Sequence, residues 1–172
     1  VVLECCEQAQ TEGMVSAVNF NAPGQIVIAG AAKSVNKAIS LCKKVGARRA
    51  ILLPVSAPFH TMMMRPAADR LTQRLENISF SCPKIPVIHN VHGRFEDNPE
   101  GIKAAVLKQI YSPVLWVQCV ERLLNEGTNV FVECGAGVVL SGLIRRIDKT
   151  IQAYTLSTSE SFESALFNIS DM

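Results

Sequence analysis

The stretch "NVFVECGAGVVLSGLIRRIDKTIQAYTLS" (residues 129–157) decides the fold class. It opens on the apolar run "NVFVECG" (129–135), which reads as a buried strand. A glycine-rich turn follows, and "GAGVVLSGLIRRI" (135–147) carries apolar residues at helical spacing. "IQAYTLS" (151–157) then reads as a second strand, and Ser159 is placed to cap a last helix. Strands that alternate with helices predict a parallel sheet with covered faces, hence an α/β protein.

The N-terminal third repeats the mixture in another order. Residues 1–12 read as a helix with Val2, Cys5, Cys6 and Ala9 on one face, and Gly13 as its C-cap. "MVSAVNF" (14–20) and "QIVIAG" (25–30) read as strands joined across "NAPG". Ser34 is placed to cap a helix running to about Val45, with Val35, Ala38, Ile39 and Cys42 inward. "RRAILLPV" (48–55) reads as a buried strand. The order helix, strand, strand, helix, strand needs one strand before Val1 to become the βαββαβ ferredoxin-like arrangement. Between these regions, residues 61–77, 101–111 and 114–126 read as helices, the last two broken at Ser112-Pro113. "IPVIHNV" (85–91) reads as a short strand.

Composition excludes several classes. With 48% apolar and 19% charged residues the chain is ordinary globular protein, and 172 residues suit one domain or one plus a small subdomain. A net charge of +2 with scattered short cationic pairs does not point to nucleic acid. No apolar stretch reaches the ~18 residues of a membrane span, and no secretory signal is visible. The six cysteines form no C-x-x-C pair, so they are expected as reduced core thiols of a cytoplasmic protein.

Three motifs carry candidate chemistry. "PVSAPFH" (54–60) ends the predicted strand in a proline-stiffened elbow that delivers His60. Open α/β sheets place their sites at strand C-terminal ends, and a fixed backbone suits a general base. "ECGAGVVL" reads either as an ordinary strand-to-helix turn or as an anion cradle. It lacks the Lys-Ser/Thr of a P-loop, so the structural reading is preferred. "VNFNAPG" sets Asn19 and Asn21 on either side of Phe20, as a polar hairpin end or as amides lining a cleft. A metal site built from His60, His89 and His92 is rejected, because no carboxylate or thiolate stands with them at ligand spacing.

Taken together, "VNFNAPGQIVIAG", "LLPVSAPFHTMMMRPAADRL", "KQIYSPVLWVQCVE" and "FVECGAGVVLSGLIRRI" resemble the malonyl-CoA:acyl carrier protein transacylases, in the family's order and at its spacing. The resemblance covers nearly the whole chain. It implies that His60 is the general base for a serine nucleophile and that the backbone carbonyl of Gln109 orients its ring. Asn19, Asn21 and Asn90 are implied as substrate-binding, cleft-lining residues. It implies ping-pong transfer of malonyl from CoA to the phosphopantetheine thiol of acyl carrier protein in fatty acid biosynthesis. No metal or other cofactor is expected, and the full-length enzyme is expected as a cytoplasmic monomer. The fold expected is a ferredoxin-like small subdomain (1–55, first strand missing) and the C-terminal part of an α/β-hydrolase-like large subdomain (56–172).

Two further readings stay open: an acyltransferase domain of a polyketide synthase, and a truncated, non-catalytic carrier-binding chain. The family's nucleophile sits in a G-H-S-x-G elbow, and no G-x-S-x-G occurs here. Ser141-Gly142 lies within a predicted helix and is no elbow. The carboxylate-binding arginine and part of the oxyanion hole are likewise expected before Val1. The chain is therefore expected to be the C-terminal half of the enzyme and inactive alone. Within the matched part, Ala136 and Val138 replace the family's usual Pro and Lys, and His89 and His92 replace Asn and Asp.

Overall fold

The computed structural model describes residues 1–170. They form seven α-helices and six short strands, paired two by two. The chain divides into two compact units: Val1–Asn21 with Gln25–Trp116, and Ala22–Gly24 with the residues from Val117 onward.

The first unit begins with α1 (Val2–Ala9), which tightens into a 3-10 turn at Gln10–Glu12. Strands β1 (Val15–Ala22) and β2 (Gln25–Gly30) form the expected hairpin across Pro23-Gly24. Helix α2 (Ala32–Lys44) follows and packs against α1. Cys6, Ala9, Val15 and Ala38 are buried together, with Val2, Ile28, Val35 and Leu41 against them; Val2, Cys6, Ala9, Val35 and Ala38 are among the predicted inward residues, Leu41 is an addition, and Ile39 is not in the cluster. Gly30 is required where β2 turns into α2. Its φ is 156°, and a Cβ there would overlap the Met14 carbonyl, which accepts a hydrogen bond from Ala31 N–H at 2.7 Å.

Several expectations need correction. Ser34 does not cap α2: the helix starts two residues earlier with Ala31 as N-cap, and Ser34 lies buried in the first turn. The predicted strand at 48–55 does not form. Ile51, Leu52, Leu53 and Val55 are all more than half exposed, and among the described residues no strand pairs with them. An apolar run cannot hold a strand without a neighbour for its backbone N–H and C=O groups. The ferredoxin-like unit is thus seen as its helix–hairpin–helix part. The strand at 85–91 shrinks to β3 (Ile88–His89), paired antiparallel with the unpredicted β4 (Arg94–Phe95).

Residues 62–64 form a 3-10 turn before α3 (Arg65–Leu75), whose first turn accommodates Pro66. The Asn98 side chain accepts from Glu100 N–H and caps α4 (Pro99–Lys108), which runs on as a 3-10 turn, Gln109–Tyr111. Helix α5 (Trp116–Asn125) follows the predicted break at Ser112-Pro113.

In the second unit, β5 (Val130–Glu133), α6 (Val139–Ile147) and β6 (Gln152–Thr155) form the expected β–α–β crossover, with β5 and β6 parallel. Helix α7 (Ser159–Ser170) is capped by Thr158, not Ser159. The Thr158 hydroxyl accepts from Ser161 N–H at 3.2 Å, and Ser161 Oγ accepts from Thr158 N–H at 3.0 Å. All six cysteines are free: Cys5, Cys6, Cys42 and Cys119 are buried as expected, whereas Cys82 and Cys134 are exposed. Burial pushes the thiols of Cys42 and Cys119 up to about 11, so neither is a nucleophile at neutral pH. No helix among the described residues is long and apolar enough to cross a membrane.

Candidate active site

His60 and Gln109, 49 positions apart in sequence, meet directly. His60 Nδ1 lies 2.8 Å from the Gln109 backbone oxygen. A carbonyl can only accept, so Nδ1 carries the proton and donates, which leaves Nε2 as the basic nitrogen of the neutral ring. The Gln109 carbonyl stands at the C-terminal end of α4, where carbonyls lack intrahelical partners and the helix dipole is negative. It therefore fixes the tautomer and orients the ring, as the carboxylate of a serine-protease triad does.

The elbow that presents His60 is a tight turn. Thr61 N–H donates to the Pro58 carbonyl at 3.3 Å, closing a four-residue turn over Phe59 and His60. His60 has φ = 62° and is the sole non-glycine residue with positive φ among the described residues. Positive φ at the second central position alone is the pattern of a type II turn, which normally requires glycine or asparagine there. Backbone strain at a half-buried histidine is a common mark of a functional position. Nothing in the sequence revealed this conformation. The 3-10 turn carrying Gln109 is braced from α3, where the Arg65 guanidinium lies 4.9 Å from the Tyr111 ring centroid and Arg65 Nε pairs with Asp69 at 3.0 Å.

The three asparagines lie in the same unit as His60 and Gln109. Asn19 on β1 bridges Val114, whose N–H donates to the Val18 carbonyl at 2.8 Å. The next residue, Leu115, donates its N–H to the Asn90 carbonyl at 2.9 Å. One two-residue segment thus ties Asn19 and Asn90 together, and Asn21 stands two residues along β1 on the face of Asn19. His89 and His92 sit at the β3–β4 turn with ring centroids 5.7 Å apart. His92 Nδ1 accepts from Arg94 N–H at 3.2 Å. Burial, followed by the charges of Arg94 and His89, holds its pKa below the ordinary histidine value. No group of three or more His, Cys, Asp or Glu side chains among the described residues could hold a metal ion.

The glycine turn of the second unit is structural, as preferred from its sequence. Gly137 takes φ = 100°. The Glu133 carboxylate occupies the start of α6, accepting from Leu140 N–H at 2.9 Å and Ser141 N–H at 2.8 Å. Desolvation is the largest single effect and works to raise the Glu133 pKa, but the hydrogen bonds from Ser141, Leu140 and Val139 together outweigh it and hold it below the usual carboxylate value. The helix terminus that would cradle an external anion is thus already filled by the chain's own anion. A groove of about 360 Å³ beside it, lined by Ser141, Arg145, Tyr154 and Ser161, holds none of the predicted site residues.

A family model described as "Acyl transferase domain" matches residues 2–159. The chain belongs to the acyl transferase domain family. A similar acyl transferase relative is the "Malonyl CoA-acyl carrier protein transacylase" of Haemophilus influenzae, 44% identical over 163 residues, covering 95% of this chain and 52% of the relative. Among solved structures, the acyl-carrier-protein S-malonyltransferase of Burkholderia pseudomallei superposes with a TM-score of 0.94 at 42% identity, covering 96% of this chain and 54% of that one. A malonyl-transacylase in complex with its type II polyketide synthase acyl carrier protein superposes with a TM-score of 0.94 at 41% identity, covering 97% and 54%. The fold is accordingly the α/β acyltransferase fold. The chain spans about half the length of the relatives it matches.

The acyl transferase reading gives the Gln109 carbonyl a direct test. Its orienting atom belongs to the backbone, so Gln109→Ala should lower kcat only modestly. Gln109→Pro removes the N–H that donates to the Ala105 and Leu107 carbonyls and displaces the turn. Misplacing the base by ~1 Å costs about 10²-fold. Steady-state kinetics of the two variants in the full-length polypeptide check this, and equal severe losses would assign the role to the side-chain amide.

Proposed function

We propose that this chain carries the base-bearing half of a malonyl-CoA:acyl carrier protein transacylase of fatty acid biosynthesis. The His60–Gln109 hydrogen bond is the observation that carries the reading. It is the base-and-orienter half of a nucleophilic acyl transfer site, in a chain 44% identical to a protein of that name. The name of that relative favours the transacylase over a polyketide synthase domain.

The serine nucleophile belongs to a part of the full-length polypeptide outside these residues, since no G-x-S-x-G occurs among them. His60 Nε2 takes the serine proton as Oγ attacks the malonyl thioester carbon. The tetrahedral intermediate collapses, the C–S bond breaks, and the imidazolium returns its proton to the departing CoA sulfur. The second half-reaction runs the same steps with the phosphopantetheine thiol of acyl carrier protein as attacker and the serine oxygen as leaving group. Asn19, Asn21 and Asn90 line the acyl-binding cleft. The chemistry is proton transfer and acyl exchange throughout, and the reading includes no metal or redox cofactor. For the full-length enzyme, a cytoplasmic monomer in this reading, the subdomain division falls at residues 1–55 and 56–172, a boundary different from that between the two compact units of the chain by itself.

Intact-mass measurement of the full-length protein mixed with malonyl-CoA tests the reading. The expected result is one malonyl adduct on a serine, discharged by holo acyl carrier protein. A protein that binds malonyl-CoA without forming the adduct would support the non-catalytic alternative.

A further inference from the structure

We propose that Thr61 is a positioning residue of the transfer reaction: its hydroxyl locks the left-handed turn that aims His60 at the Gln109 carbonyl. The inference rests on the reading of His60 as general base and extends it to a residue that does not touch the reacting atoms.

Two observations converge on Thr61. The first is the conformation of its neighbour. A β-carbon makes φ = 62° unfavourable at His60, so the turn from Pro58 to Thr61 is held against a local preference. The second is the bonding of Thr61 itself. It is 2% exposed, one of the most deeply buried polar side chains described. Its N–H and its Oγ1–H both donate to the Pro58 carbonyl, at 3.3 and 2.7 Å. The hydroxyl bond has the usual O–H···O length, whereas the N–H bond is longer than the usual N–H···O range, so the side chain closes the turn more tightly than the backbone does.

The same oxygen faces the other way as well. Thr61 Oγ1 accepts from Met63 N–H at 3.3 Å, and the Thr61 carbonyl accepts from Met64 N–H at 2.9 Å. Thr61 thereby caps the 3-10 turn at Met62–Met64, which leads directly into α3. Helix α3 packs against the Gln109–Tyr111 turn, and its Arg65 lies over Tyr111. One hydroxyl therefore links both sides of the dyad: the turn that carries the imidazole and the helix that supports the carbonyl.

The geometry also says which substitution separates positioning from packing. Valine keeps the branched shape and volume but neither donates to Pro58 nor accepts from Met63. Serine keeps the hydroxyl and loses a methyl.

The test is made in the full-length polypeptide with Thr61→Val, Thr61→Ser and His60→Ala. Thr61→Val is expected to lower kcat by about 10- to 100-fold with KM for malonyl-CoA little changed. The hydrogen-bonded Nδ1–H proton of His60, observed by NMR with ring-labelled histidine, should broaden or vanish. Thr61→Ser should restore both. A Thr61→Val enzyme that keeps wild-type kcat and the Nδ1–H signal overturns the proposal, even if it melts at a lower temperature. If Thr61→Val does not fold, Thr61→Ala is measured in its place, and global unfolding of both also overturns it, because Thr61 would then serve the fold at large. His60→Ala keeps the two readings apart. If it acylates at the wild-type rate, the general-base reading has failed; if it is slow while Thr61→Val is not, only the Thr61 proposal has.

Discussion

In the full-length polypeptide, the proposed general-base role of His60 predicts that His60→Ala slows formation of the malonyl-enzyme by about 10²–10⁴-fold, the usual worth of such assistance. The substitution removes the nitrogen proposed to accept the serine proton and leaves the rest of the site in place. The loss should fall on kcat, because nothing assigns the imidazole a hold on the substrate ground state. Folding should hardly change. The His60 ring is half-buried and belongs to none of the packed core residues of its unit. His60→Gly gives an independent control. Glycine adopts φ = 62° without the β-carbon penalty, so this variant should be at least as stable as His60→Ala and just as slow. Rapid-quench acylation kinetics and thermal unfolding of the two variants check both halves of the argument. Wild-type acylation by either variant, or inactivity that tracks unfolding, would make His60 a structural residue of the elbow.

The parts of the fold that were legible in the sequence are those specified by local pattern. Helix α1 and helix α2 announced their buried faces through Cys5, Cys6, Ala9, Ala38 and Cys42, because a 3.6-residue period needs no distant partner to be read. The Pro23-Gly24 turn and the glycines around Ala136 were read from residue type alone. Residues 48–55 show where such reading stops. Their apolar character marks a strand, yet a strand exists only beside another, and its partner cannot be read from the segment itself. Ser34 and Ser159 failed for a related reason. A capping residue type was present in each, but backbone geometry placed the helix boundary one or more residues away.

The site divides along the same line. His60 stood out because two prolines frame it. Gln109 could be reached only through a family resemblance, since its contribution is a backbone carbonyl that any residue type would supply. Thr61 is a side chain in plain view, and its role depends on a φ value that the letter His does not betray.

Residues 1–172 expressed alone should be poorly soluble and transfer no malonyl group. The chemical half of the expectation follows from the site. His60 and Gln109 supply a base and its orienter, but no serine in these residues lies in a nucleophile elbow. Ser141, the nearest sequence candidate, is 2% exposed inside α6 and donates its hydroxyl to the Val138 carbonyl. The buried Cys42 and Cys119 offer no substitute, with thiols at about 11. The physical half follows from the surface. Ile51, Leu52, Leu53 and Val55 are exposed in a row, and on the second unit Val138, Val139 and Leu140 are exposed at the start of α6. Clustered apolar residues of this kind on unpaired backbone favour association over solution. Leu52 alone keeps 65% of its surface in water. The measurement is an intact-mass and radiolabel transfer assay on refolded, purified 1–172, with size-exclusion chromatography to report its state. Association with no malonyl adduct is the expected outcome. A monodisperse protein that transfers malonyl to holo acyl carrier protein would place the nucleophile inside these residues and overturn the two-part site.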